Sequence, residues 1–391
     1  MVIKKKKLIS LNFPQNFDNC LIIYYYNYKE LNMRGEKMKK ISLFFVIVFV
    51  ITSLSTAAIA EESMEMNLQT AVNMAIECNL DLKIEALNLE KANIDYQKNK
   101  ANNLLTQSKY NELQADYQFA TAQNTYQKVY DNLVKSIIQQ YTNIKISEQD
   151  LLIKEKDVEL ERLLSEKCKA QYEIGDISSI DLLEQENSYR DAVFNYETAS
   201  DDYQQMLKEF KSDLGLNNTK LDLEYFDKIT IWEITEKETL EKALETSIEL
   251  QLKEKEVELA SIDLKRANVS ASKLDKNNKE LALEKVKLEK MNSEEEIRNE
   301  TQEIYYNFKQ AIKKMKLKKE RLIESKEKYN IRQKQYEAGL ITSSDVLQYE
   351  LNMMQAKYQY MAAIADYYLQ EHSLKERLNL KTGVFVNDSN E

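Results

Sequence analysis

Tyr172-Glu-Ile-Gly-Asp-Ile-Ser-Ser-Ile-Asp-Leu-Leu183 recurs 164 residues later as Tyr336-Glu-Ala-Gly-Leu-Ile-Thr-Ser-Ser-Asp-Val-Leu347, with seven of the twelve positions identical. The two copies hold two of the five glycines in 391 residues, so the breaks in a chain that rarely breaks fall at equivalent places. This is an internal duplication. At the same offset, residues 137–214 align with 301–378 without a gap. Ahead of the repeated passage the heptad positions read Ile137, Ile144, Leu151, Val158, Ser165, Tyr172 and, in the second copy, Thr301, Phe308, Met315, Leu322, Tyr329, Tyr336. Behind it come Tyr189, Tyr196, Tyr203, Phe210 and Met353, Tyr360, Tyr367, Leu374, with Ala192, Ala199, Ala356 and Ala363 three positions later. Large residues at one heptad position and alanine at the other predict closely packed coiled-coil helices.

Each repeated passage is then the tip of a helical hairpin. Gly175 and Gly339 supply the left-handed residue that ends the incoming helix. Ser178 or Ser179, and Thr342 or Ser343, cap the outgoing one, with Asp181 and Asp345 in its first turn against the positive helix end. The outgoing arm, 179–214, spans about 54 Å if helical. At its far end Gly215 aligns with Asn379, and Gly383 lies four residues beyond. The repeat starts also match, Leu68 to Ile76 against Leu240 to Ile248. Alternation in Leu221 to Phe226 and Ile229 to Ile234 predicts short strands or packed linker between the repeats.

Composition agrees: 43% hydrophobic, 31% charged and a single proline, Pro14, suit long amphipathic helices, not sheets. The fold class predicted is all-α, two tandem repeats of long antiparallel coiled-coil hairpins with little or no β structure.

Met38-Lys39-Lys40, the apolar run Ile41 to Leu54 and Ala58-Ile59-Ala60 have the three regions of a secretory signal peptide, with cleavage expected after Ala60. Residues 1–37 precede it and read as an untranslated upstream segment. The expected organisation is 1–37 upstream, 38–60 signal peptide, 61–216 first repeat, 217–234 linker, 235–383 second repeat and 384–391 a disordered tail. From residue 61 onward 46 Lys and Arg face 62 Asp and Glu, a net charge of −16 that argues against a nucleic-acid partner. Cys78 and Cys168 lie in separate helical stretches and make no disulfide framework. Those two cysteines and His372, which reads as a solvated residue near the last helix end, have no metal-ligand spacing. There is no glycine-rich phosphate loop and no nucleophile with a base, so no enzyme and no cofactor are expected.

The duplicated Tyr-x-x-Gly-x-x-x-x-x-Asp-Val/Leu-Leu tip, the repeat start with Leu68, Ala71 and Ala75, and the closing Leu214-Gly215 resemble the TolC family of outer-membrane efflux proteins. The resemblance implies a homotrimer in which six hairpins form an α-barrel tunnel, working with a periplasmic adaptor (membrane fusion) protein and an inner-membrane transporter. It implies a passive conduit for efflux or type I secretion-type export, located in the cell envelope. It also implies adaptor contact at the tips, through Gly175, Asp176, Ile177 and Ser178 and through Gly339, Leu340, Ile341 and Thr342, and an aperture ring of Asp345 with its repeat partner Asp181. The local reading of those aspartates, as first-turn helix acids, stands beside the ring.

The family also carries two membrane-barrel strands per repeat, which would fall near 100–130 and 268–300. Neither segment has about ten residues of apolar alternation with aromatic girdles and turns, so helical or irregular chain and no complete barrel are expected there. That departure supports a second reading, a non-transporting coiled-coil scaffold of the envelope.

Overall fold

The computed structural model describes residues 63–216, 219–226 and 229–380. The expected leader 1–37, the signal peptide 38–60 and the tail 384–391 lie outside the described residues. Ten elements follow one another: β1 (Ser63–Met66), α1 (Leu68–Cys78), α2 (Leu80–Thr106), α3 (Lys109–Glu173), α4 (Ser179–Asp213), β2 (Lys220–Leu223), α5 (Glu236–Thr246), α6 (Ile248–Ser270), α7 (Lys273–Glu337) and α8 (Ser343–Arg377). The repeats are matched helix by helix. α1 and α5 have 11 residues each, α3 and α7 have 65, and α4 and α8 have 35. A 65-residue helix is about 97 Å long.

Caps set these boundaries. Asn67, Asn79, Ser108, Ser178, Thr235, Ser247, Ser272 and Thr342 are the N-caps, each accepting a hydrogen bond from a backbone N–H three residues on. Asn79 ends α1 and starts α2 in one residue, as Ser247 does between α5 and α6. Gly215 and Asn379 both take the left-handed conformation, at φ 71° and 48°. Each closes its helix with the paired bonds of a Schellman turn, Leu216 N–H to Lys211 O at 2.7 Å and Leu380 N–H to Lys375 O at 3.0 Å.

Helix α3 packs on α4, and α7 on α8; α8 also lies along α3, so the four long helices run side by side as α4, α3, α8, α7. The outer helices α4 and α7 are the two edges of this layer. α2 and α6 extend it at the end away from the tips, packed on α3 and α7, while α1 and α5 pack on the same two helices.

The main core lies where α1, the far ends of α4 and α8, and the linker meet the long helices. Tyr141, Ile144, Phe210, Phe308, Tyr367 and Leu374 are fully buried there. Burying each such side chain stabilises the fold by about 1.5–3 kcal/mol.

The linker takes both forms that its alternation allowed, a short strand and an irregular packed stretch. β2 is a strand, but 229–234 is irregular, and the partner of β2 is β1, which lies in a stretch read as the start of the first helical repeat. The pairing is parallel, Ser63 with Lys220 through Met66 with Leu223. Two buried tyrosines hold the linker down. Tyr141 Oη lies 2.7 Å from Glu224 O and 3.0 Å from Met66 O, and Tyr367 Oη accepts from Trp232 N–H at 3.2 Å.

His372 is a correction. It is buried, not solvated, and its Nε2 lies 3.0 Å from Asp131 O on α3.

The stretches where barrel strands would fall are helical. α2 turns into α3 through Gln107 and Ser108, and α6 into α7 through Ala271 and Ser272. In the first turn Gln107 is left-handed and Asn103 braces it, its Oδ1 accepting from Ser108 N–H and its Nδ2 donating to Ser108 O, both at 2.9 Å. Among the described residues there is no strand besides β1 and β2.

Candidate functional site

The two hairpin tips share one backbone. Gly175 (φ 79°) donates to Tyr172 O and Asp176 to Gln171 O, both at 2.9 Å. Gly339 (φ 74°) donates to Tyr336 O at 2.8 Å and Leu340 to Gln335 O at 2.9 Å. A left-handed residue is needed to reverse the chain within five residues, and glycine alone takes it without a Cβ penalty.

The outgoing helices start with reciprocal capping boxes. The Asp181 carboxylate accepts from Ser178 N–H at 2.9 Å and from its hydroxyl at 2.8 Å, while Ser178 Oγ accepts from Asp181 N–H. Asp345 repeats this with Thr342 at 2.9 and 2.7 Å. The Ser178 side chain and then its backbone N–H hold the Asp181 carboxyl below the ordinary carboxylate range. Thr342 does the same for Asp345, helped by the positive charges of Lys167 and Arg332. Both aspartates are exposed, and each has one carboxylate oxygen committed to its cap, leaving the other free to face a second group.

The tips differ in what they present. Leu340 is 73% exposed, whereas Ile341 and Ile177 are half-buried. Ile174, 80% exposed at the end of α3, was missed by sequence reasoning; it precedes the repeated Gly, and its counterpart Ala338 hid the signal. Gly175, Asp176, Ser178, Gly339 and Thr342 are all exposed. Above the second tip the Arg332 guanidinium lies 4.7 Å from the Tyr349 ring and donates to its hydroxyl at 3.0 Å, tying α7 to α8. The first repeat has Cys168 and Gln185 at those positions, and Gln185 instead donates to Glu161 at 2.6 Å.

Between the tips, α3 and α8 are sealed by a small apolar cluster. Ile153 and Leu160 meet Leu347 and Leu351, with Leu163, Leu164, Met354 and Tyr358 against them. The tips thus stand at one end of the layer, joined by an apolar seam.

No described helix is long and apolar enough to cross a membrane. Among the described residues no three His, Cys, Asp or Glu side chains are grouped to hold a metal ion.

No protein-family model and no curated protein sequence matches the chain. Solved structures do match in fold. The outer-membrane protein VceC from Vibrio cholerae superposes with a TM-score of 0.58 at 9% identity, covering 80% of this chain and 95% of its own. The Campylobacter jejuni CmeC outer-membrane channel gives 0.55 at 12% identity, covering 83% and 87%. The open state of the Neisseria gonorrhoeae MtrE outer-membrane channel gives 0.53 at 14% identity, covering 80% and 89%. At such identities the likeness is one of fold: the chain carries the long-helix architecture of TolC-type outer-membrane channels, built from two hairpin repeats and without barrel strands among its described residues.

Proposed function

We propose that the chain is one protomer of a TolC-like tunnel, exported to the cell envelope, that conducts substrate passively in an efflux or type I secretion-type system. Three copies form the tunnel, and the hairpin tips engage a periplasmic adaptor protein coupled to an inner-membrane transporter.

The observation that carries this reading is the relation between the sealed seam and the open edges. By the repeat offset α7 is the counterpart of α3, and α4 that of α8. The positions through which α3 meets α8 therefore recur on α7, and those through which α8 meets α3 recur on α4. A second copy can repeat the internal seam by setting its α4 on this chain's α7, and such head-to-tail contacts close into a ring when the rotation allows.

The edges fit that role. Ile153 corresponds to Leu317, Leu347 to Leu183 and Tyr358 to Phe194, and these three edge residues are exposed. The remaining counterparts are polar, Glu324, Glu327 and Lys328 on α7 against Asn187 and Arg190 on α4, which places acids opposite an arginine. The Asp345 and Asp181 carboxylates would then form a ring at the tip end, each with an oxygen beyond its cap. Leu340 and Ile174 would meet the adaptor.

A second reading, a coiled-coil envelope scaffold that conducts nothing, is favoured by the short turns at Gln107–Ser108 and Ala271–Ser272, where family members insert into the membrane.

Sedimentation and negative-stain imaging of residues 61–391 test the proposal. Hollow trimeric rings are expected, and the Leu183→Ser/Phe194→Ser/Leu317→Ser variant should sediment as a folded monomer. Wild-type protein that stays monomeric or forms open rods would sink the tunnel and leave the scaffold.

A further inference from the structure

The end of the molecule farthest from the tips carries its own chemistry. There the α2–α3 and α6–α7 turns lie side by side, because Arg266 reaches across from α6. Its guanidinium sits 4.5 Å from the Tyr110 ring and 3.4 Å from Ser108 Oγ. At these turns Leu105 is 91% and Val269 88% exposed, with Leu104 and Leu274 exposed beside them. A solvated helix turn is ordinarily polar, and four apolar side chains at two adjoining apices call for a partner.

Charge says which partner. In the matched windows 98–112 and 262–276 there are seven basic residues, Lys98, Lys100, Lys109, Lys265, Arg266, Lys273 and Lys276, and three acids. At the tips, 166–181 and 330–345, four basic residues face six acids, and the chain from residue 61 onward is strongly acidic. Lys98, Lys265 and Lys273 are exposed and make no ion pair among the described residues. A basic collar thus surrounds the apolar apices at this end of a rod about 97 Å long, whereas the tips at the other end are net acidic.

We propose that this end docks on an anionic lipid surface, Leu104, Leu105, Val269 and Leu274 entering the headgroup layer while the surrounding Lys and Arg side chains pair with lipid phosphates. The apices are short helix turns that belong to two separate hairpins, which suits a deformable lipid surface better than a complementary protein groove. Shallow burial of apolar side chains adds to attraction by basic residues near an anionic bilayer. The contact is peripheral and requires neither a barrel nor assembly, so it stands whether or not the chain forms a tunnel.

The test is flotation of residues 61–391, which form one compact unit, with vesicles of phosphatidylglycerol or of phosphatidylcholine. Binding to phosphatidylglycerol is expected to be at least about tenfold tighter and to weaken as salt rises. Leu104→Ser/Leu105→Ser/Val269→Ser/Leu274→Ser should lose about tenfold or more, and Lys98→Glu/Lys265→Glu/Lys273→Glu a similar amount, with helix content by circular dichroism unchanged. Because the second variant alters only exposed side chains, it keeps the test meaningful if the first fails to fold. Absence of flotation, equal binding to phosphatidylcholine, or binding that survives either folded variant would overturn the proposal.

Discussion

The seam between α3 and α8 and the paired edges of α7 and α4 are built from equivalent positions, yet one is closed and apolar and the other open and mixed. Leu160, Leu163 and Leu164 on α3 become Glu324, Glu327 and Lys328 on α7; Leu351 and Met354 on α8 become Asn187 and Arg190 on α4. The covalent connection explains the difference. A seam inside one chain is largely shielded from water after folding, so leucine is its stable filling. An edge that faces water in the single chain is less soluble if it is a continuous apolar stripe. It keeps three exposed apolar residues, Leu183, Phe194 and Leu317, among charges that in the proposed assembly would set register and partner. Duplication supplied one geometry, and solvent exposure set two compositions for it.

The largest expected effect breaks the sealed copy. Leu160→Ala empties a buried site between two long helices and should lower unfolding free energy by about 2–4 kcal/mol, whereas Glu324→Ala at the equivalent exposed position should change it by less than about 0.5 kcal/mol. Urea denaturation of the two variants checks this. Equal losses would mean that the edges are already packed in the monomer.

A smaller effect tests the one place where the repeats should behave alike. Gly339→Ala and Gly175→Ala each put a Cβ on a residue at φ above +70°, in open space with no heavy atom within 4 Å. The cost is therefore that of the backbone alone, about 1–2 kcal/mol. The two losses should agree within a few tenths of a kcal/mol. A tip that loses much more is braced by contacts beyond its own turn.

What could be read from the sequence was local or repeated. Tips, caps and helix ends follow from residues a few positions apart, and the offset of 164 carried Gly215 onto Asn379 even though the residue type changed. The loss of the barrel strands was legible because helix formers crowd 268–300, which has no aromatic residue, and 100–130 has little apolar alternation. Long-range pairings were hidden. β1 is only Ser63-Met-Glu-Met66, and its partner lies more than 150 residues away, so neither periodicity nor turn signals mark it. His372 was misread because its hydrogen-bond partner is 241 positions distant. The exposed Ile174 escaped because it sits at the C-cap ahead of Gly175, where the other tip has the small Ala338.

His372 also yields the smallest predicted effect, again by comparison with its counterpart, the exposed Lys208. Burial, then the charges of Lys135 and Lys375, push the imidazole below its ordinary pKa, against the opposite pull of the Asp131 carbonyl. An unfolded histidine titrates near about 6.5. Below that value the unfolded chain binds the proton more readily than the native one, so stability rises with pH. The contribution is fully present above about pH 6.5 and is lost as pH falls from there through the lower native pKa. His372→Gln should flatten the change in urea midpoint between about pH 5 and 7.5, while Lys208→Gln should leave the slope as it is. A slope unaltered in both variants would place the pH dependence with the carboxylates, and the burial of His372 would then have no counterpart in the energetics of folding.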